Sequence, residues 1–192
     1  LEALIEDRAA RLTAYQNAAY ADRYRQLVQR VSARDSDPQK LLSQAVARYY
    51  FKLLAYKDEY EVARLYSDKA FTDSLQAQFQ GDFRLQFHLA PSWLSQTDKS
   101  TGEPRKRSFG PWMLKAFKVL AGLRFLRGSW LDPFGRSEER KLEHRLIEEY
   151  EQSVVSLLGR LTNSNYQTAL AIAELPEQIR GYGHVKEKAV EQ

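Results

Sequence analysis

Two short stretches hold side chains whose types and spacing suit an anion. Arg180-Gly181-Tyr182-Gly183-His184 sets a guanidinium, a phenol and an imidazole around two glycines. Glycine lets a backbone approach a ligand closely, so Arg180, Tyr182 and His184 can grip a phosphate or a carboxylate. The plain alternative is a glycine-rich turn packed through Tyr182. The second stretch, residues 99–107, carries Lys99, Arg105, Lys106 and Arg107 around Gly102 and Pro104. Such a basic loop suits a pyrophosphate or an acidic partner, and is otherwise a solvated connection. The candidate binding residues are taken as the contiguous Arg105, Lys106 and Arg107 with Arg180, Tyr182 and His184.

Other chemistry has less behind it. The histidines are His88, His144 and His184. His144 lies one helical turn before Glu148, a usable pair of ligands on one face. The di-iron bundle pattern instead needs a glutamate at the position three before a histidine. Lys141, Leu85 and Gly181 stand there before His144, His88 and His184. A zinc site needs more convergent ligands than any segment offers. No metal site is expected, and His144 reads as a solvated helix residue. The glutamates between 138 and 151 resemble paired catalytic carboxylates, but ion pairs along a charged helix face account for them. No Ser-His-Asp spacing, nucleophile elbow or P-loop occurs, so no catalytic residue is assigned.

Composition sets the frame. At 192 residues the chain is long enough for a sizeable core and is expected to form a single domain. There is no cysteine, so neither a disulfide nor a cysteine-ligated iron–sulfur cluster can lie within it. Cysteine-free usage fits the cytoplasm. Lys and Arg number 29 against 25 Asp and Glu, a mild excess without the clustering that nucleic acid calls for. Glu2, Glu6 and Asp7 sit in an amphipathic opening that does not read as a basic and then apolar leader. The chain starts at Leu1 and its one methionine is Met113, which reads as a piece of a longer polypeptide.

The elements that would position these residues follow from periodicity. The expected fold is mainly α: an irregular, orthogonal domain of five or six helices around a buried core helix, with one small β-hairpin. The core helix is placed at 111–127. Pro111 suits a first helical position, and from Trp112 to Leu126 the apolar residues leave little room for a polar face. Lys115, Lys118 and Arg124, and its length, argue against a membrane span. Arg127 is expected to meet the helix's last carbonyls, Gly128 to take the left-handed cap, and 130–135 to form a tight aromatic turn.

A long amphipathic helix is read over 1–32, with Tyr15, Tyr20 and Tyr24 at a half-buried seam, rings inside and hydroxyls out. Asp37 and Pro38 are expected to open a second helix, to about Tyr56, with helical pattern resuming to Tyr66. Asp68 is read as the cap of a short helix to about Phe79. Phe83, Leu85, Phe87 and Leu89 alternate with Arg84, Gln86 and His88, the mark of a strand with one buried face. A second strand near 106–109 is expected to pair back on it. Ser137 is a good cap for a long helix to about Leu161, and Ser164 with Gln167 fits a capping box for a last helix ending near Pro176.

Several segments also carry a resemblance. Phe-Gly-Pro-Trp-Met-Leu (109–114), Leu-Arg-Gly-Ser-Trp-Leu-Asp-Pro-Phe-Gly (126–135), the 12–21 segment, the run from Tyr49 to Leu65 and the tail from Leu175 to Glu187 are similar to the C-terminal region of the fused bacterial indolepyruvate ferredoxin oxidoreductases. The resemblance implies a parent enzyme of the 2-oxoacid:ferredoxin oxidoreductase kind. That parent oxidatively decarboxylates aryl-2-oxoacids such as indolepyruvate to aryl-acetyl-coenzyme A, with ferredoxin as acceptor. It implies thiamine diphosphate, iron–sulfur clusters and coenzyme A for the parent, and no cofactor within this region. The expected role here is a non-catalytic structural and interaction domain in a cytoplasmic homo-oligomer. Its partners would be other domains of the same polypeptide and, through the parent, ferredoxin. Arg105, Lys106, Arg107, Arg180, Tyr182 and His184 would then lie at an interface or at a coenzyme A or ferredoxin edge. No nucleic acid and no membrane is expected as a partner. The alternative is a stand-alone basic helical binding module for nucleic acid or an acidic protein.

Overall fold

The computed structural model describes residues 1–79, 84–89 and 107–179. In chain order the elements are α1 (Glu2–Tyr15), α2 (Ala18–Arg34), α3 (Leu41–Leu54), α4 (Glu59–Ser67), α5 (Lys69–Gln78), β1 (Phe87–Leu89), β2 (Arg107–Phe109), α6 (Met113–Gly122), α7 (Glu138–Arg160) and α8 (Tyr166–Glu174). The fold is mainly α with one small antiparallel hairpin, as the periodicity indicates, though the described residues form eight α-helices where five or six were expected. The chain divides into two compact units. One is built on Leu1–Tyr56 and the chain from Arg136 onward; the other is Lys57–Gly135, inserted in sequence between them. No helix of the described residues is long and apolar enough to cross a membrane.

The first unit holds the larger core. Ile5 and Leu12 of α1, Tyr24, Val28 and Val31 of α2, Val46, Tyr50 and Leu54 of α3, and Ile147 and Val154 of α7 are buried together. The long helix expected over 1–32 is two helices. Asn17 breaks it: its Oδ1 accepts the Tyr20 N–H at 2.9 Å and caps α2, although no glycine or proline marks the site. The tyrosine hydroxyls do not face out, contrary to expectation. Those of Tyr15, Tyr20 and Tyr24 donate to the carbonyls of Tyr56, Leu54 and Ala47 at 2.9–3.0 Å. A buried phenol needs such a partner, and carbonyls in the middle of α3, at its end and just beyond it supply one.

Tyr50 stands between Tyr24 and Tyr150, with ring centroids 5.9 and 6.1 Å away. Its hydroxyl donates to Glu151. Arg23 grips the same carboxylate through two nitrogens, at 2.7 and 2.9 Å. Burial disfavours ionisation of Glu151, but the hydrogen bonds from Arg23 and Tyr50 outweigh it and hold the carboxyl below its usual range. The connection into α3 is a second polar knot. Buried Asp35 accepts from Ser43 N and Oγ at 2.9 and 2.7 Å and from the Tyr166 hydroxyl at 3.1 Å. The helix expected from Pro38 begins three residues later, at Leu41, because Lys40 takes a left-handed φ of 54° and sends its Nζ back to Ser32 O. Ser137 caps α7 as expected. The capping box expected from Ser164 does not form: its Oγ meets Thr162, and Asn165 ties the turn instead.

The second unit has a smaller core. Phe87 of β1, Phe117 and Ala121 of α6 and Ala63 of α4 are buried, and Tyr66 stacks on Phe117 at 5.4 Å. The expected hairpin forms, Phe87 facing Phe109 and His88 facing Ser108, with Phe87 buried and His88 exposed, but its first strand is only Phe87–Leu89: 84–86 are not strand, and Phe83 lies outside the described residues. The expected buried core helix is corrected. α6 is ten residues long, and the only residues it buries are Phe117 and Ala121. Its other face carries Trp112, 59 % exposed, and Val119, 67 % exposed. A run of apolar residues sets total hydrophobicity, but one face alone is covered by α4 and the hairpin.

Two outcomes follow. Tyr24→Ala should lower unfolding free energy by about 3–5 kcal/mol, as for large aromatic deletions in a core, whereas Trp112→Ala should change it by only about 0.5 kcal/mol. Urea titration checks both. The Glu151 carboxyl, depressed in the folded state, stabilises fully above its ordinary value of 4.5 and loses that contribution as pH falls through the folded value. Glu151→Gln should therefore flatten the loss of melting temperature below about pH 4.5, measured by thermal scans against pH.

Candidate interaction surface

The second unit is fastened by polar groups. Asp58 caps α4, its Oδ1 accepting the Glu61 N–H at 2.8 Å. The same carboxylate takes Arg127 in a two-pronged pair, 2.9 Å from Nη2 to Oδ1. Both side chains are almost wholly buried, at 3 % and 2 % exposure. Arg127 was expected to meet helix carbonyls. A buried guanidinium needs a counter-charge more than a dipole, and Asp58 supplies it. The Arg127 guanidinium also lies over the Tyr60 ring, 5.5 Å from its centroid.

Asp132 organises the turn that follows. Its Oδ1 accepts from the Tyr60 hydroxyl at 3.1 Å and from Phe134 N at 3.0 Å. Its Oδ2 accepts from Gly128 N at 2.9 Å. Burial, then the neighbouring Asp132 carboxylate, raises the Tyr60 hydroxyl well above the usual phenol range, so it stays a donor. Gly128 has φ 72°, the left-handed conformation its type permits. Asp132 N closes back on Ser129 O at 3.1 Å, and Ser129 Oγ accepts from Leu131 N. Trp130 and Leu131 are thereby the two central residues of a tight turn. Gly135 seals it, since a Cβ there would come within 2.9 Å of Asp132 Oδ2.

This frame displays apolar side chains. Trp130 is 82 % exposed and Leu131 is also exposed, while Phe125, in a short 3-10 turn after α6, is 62 % exposed. Trp112, Val119 and Leu123 repeat at seven and four residues, which places them on one side of α6, opposite Phe117 and Ala121. Exposed aromatic residues gathered in one segment mark interaction sites rather than ordinary surface.

The residues singled out by sequence fare differently. Arg107 lies exposed on β2 across from Leu89. Arg105, Lys106, Arg180, Tyr182 and His184 lie outside the described residues. His88 has Ser108 Oγ at 3.0 Å from its Nδ1. His144 is not a solvated residue: it is half-buried, edge-on to Tyr56 at 6.0 Å. Among the described residues no group of three or more His, Cys, Asp or Glu is placed to hold a metal. Of the glutamates in α7, Glu151 serves the Arg23 and Tyr50 cluster, and Glu143 is buried. The Asp58–Arg127 pair was not foreseen. An aspartate just before a helical run, with an acid three residues on, was the available signal.

A family model described as a family of unknown function, DUF6537, matches residues 1–192. The chain belongs to that family. No curated protein and no solved structure matches it.

The Asp58–Arg127 pair has a clear test. Asp58→Ala leaves a buried guanidinium without its counter-charge and should cost about 3–5 kcal/mol. Asp58→Ala combined with Arg127→Met should recover a large part of that loss. A double-mutant cycle in urea measures the coupling.

Proposed function

We propose that this chain is a non-catalytic structural and interaction domain of an indolepyruvate ferredoxin oxidoreductase. The observation that carries the interaction role is the turn of Trp130 and Leu131, apolar, exposed and locked by buried Asp132. Preorganised apolar groups at a surface bind with less loss of conformational freedom than mobile ones. The resemblance of 109–114, 126–135 and the run from Tyr49 to Leu65 supports the choice of parent. In that reading the parent decarboxylates aryl-2-oxoacids in the cytoplasm and passes electrons to ferredoxin. Thiamine diphosphate, coenzyme A and the iron–sulfur clusters would be held elsewhere in the parent; a cluster ligated by thiolates cannot be held here, where there is no cysteine. This domain would brace other domains of the same polypeptide.

An immunoblot of source cells with an antibody to this chain tests the parentage. The expected band is several times larger than 22.3 kDa. Purified, that polypeptide should reduce ferredoxin with indolepyruvate and coenzyme A. A band near 22.3 kDa would remove the parent from the proposal.

A further inference from the structure

Resting on the interaction-domain reading above, the geometry points to the kind of surface this domain docks against. We infer that the outer face of α6 and the Trp130 turn seat in an apolar pocket of a protein surface rimmed by carboxylates. The apolar anchors are Trp112, Val119, Phe125, Trp130 and Leu131, all more than half exposed.

Charge selects the partner. From Phe109 to Leu131 the chain contains no aspartate or glutamate. Lys115 and Lys118 are exposed and make no ion pair among the described residues. Arg127 is taken up internally by Asp58, which leaves the two lysines and the half-buried Arg124 to set the sign of the face. Interfaces of proteins concentrate aromatic residues at their centre and leave charges to the rim. That is the order here: Trp112, Val119 and Leu123 follow one line along α6 and its caps, and Lys115 and Lys118 lie together along one side of it. A complementary surface supplies apolar area for the line and carboxylates along the lysine side.

Other acceptors fit less well. Strong nucleic-acid binding draws on many phosphate contacts, roughly six to ten for a steep salt response, and this face offers three cations. An anionic lipid surface gains about 1 kcal/mol per lysine or arginine near it, so three cations give weak adsorption. A pocketed protein surface can bury as an anchor a tryptophan presented on a fixed turn.

The test uses the full-length polypeptide in source cells. A photo-crosslinking phenylalanine analogue replaces Val119 in one strain and Trp130 in another, and the crosslinked peptides are sequenced by mass spectrometry. Both positions should capture the same protein surface, and the captured peptides should carry aspartate or glutamate beside apolar residues. Lys115→Glu with Lys118→Glu should reduce the crosslink yield about tenfold or more, since like charges at an interface cost several kcal/mol. The variant's melting temperature, unchanged, separates lost docking from lost folding. Capture of lipid, of nucleic acid, of peptides lacking carboxylates, of different surfaces at the two positions, or of nothing would overturn the inference. Insensitivity to charge reversal would overturn it too. A 22.3 kDa native band would instead remove the parent while leaving these crosslinks to decide the surface chemistry.

Discussion

A polar group taken out of water must be met by partners on the inside, and this requirement shapes both units. The clearest case is Asp58 with Arg127. Each is almost wholly buried, and neither could be without the other. Around that pair Tyr60 and Asp132 complete the arrangement, so that a unit with few buried apolar residues acquires a defined geometry. The net contribution of such a pair to stability is small against an apolar replacement of the same shape. What it supplies here is position: the backbone at 127–134 is held by acceptors and donors that tolerate few other arrangements.

The first unit solves the same problem with phenols. Tyr15, Tyr20, Tyr24 and Tyr150 each bring a large ring into the core and each send the hydroxyl to a backbone carbonyl. The ring supplies most of the favourable burial; the hydrogen bond removes the penalty of the oxygen. Glu151 is met by Arg23 and Tyr50 on the same terms, and Asp35 by Ser43 and Tyr166. The two units thus differ in their apolar content but share a rule.

How much of this could be read from the sequence depends on range. The hairpin was legible because the period changed from helical to alternating at Phe87 and Leu89, and α7 because Ser137 opens an unbroken stripe. The break at Asn17 was hidden, since a polar cap inside an amphipathic pattern looks like any solvated residue. The burial assigned to 111–127 was wrong because composition does not say which neighbour covers a face. Trp112 and Val119 are as apolar as Phe117, and only contact with α4 and the hairpin separates them. The partners of Arg127 and Tyr60 lie 69 and 72 residues away in the chain. Pairs at such separation leave no periodic trace. Of the candidate anion-binding residues, Arg107 is described, and it lies exposed on β2.

The polar clasp also bears on how the chain assembles. Asp58 and Tyr60 stand just inside the start of the inserted unit, and Arg127, Asp132 and Phe134 just inside its end. The same contacts that fix the turn therefore bring the entry and exit of the insert side by side. α7, which completes the core of the first unit, is synthesised only after the whole insert. Joining α3 to α7 through an unstructured loop of that length would oppose folding by a term that grows with the logarithm of the loop. Once Asp58 has found Arg127, the loop seen by α3 and α7 is short. The folded insert thereby shortens the loop that packing α3 on α7 must close.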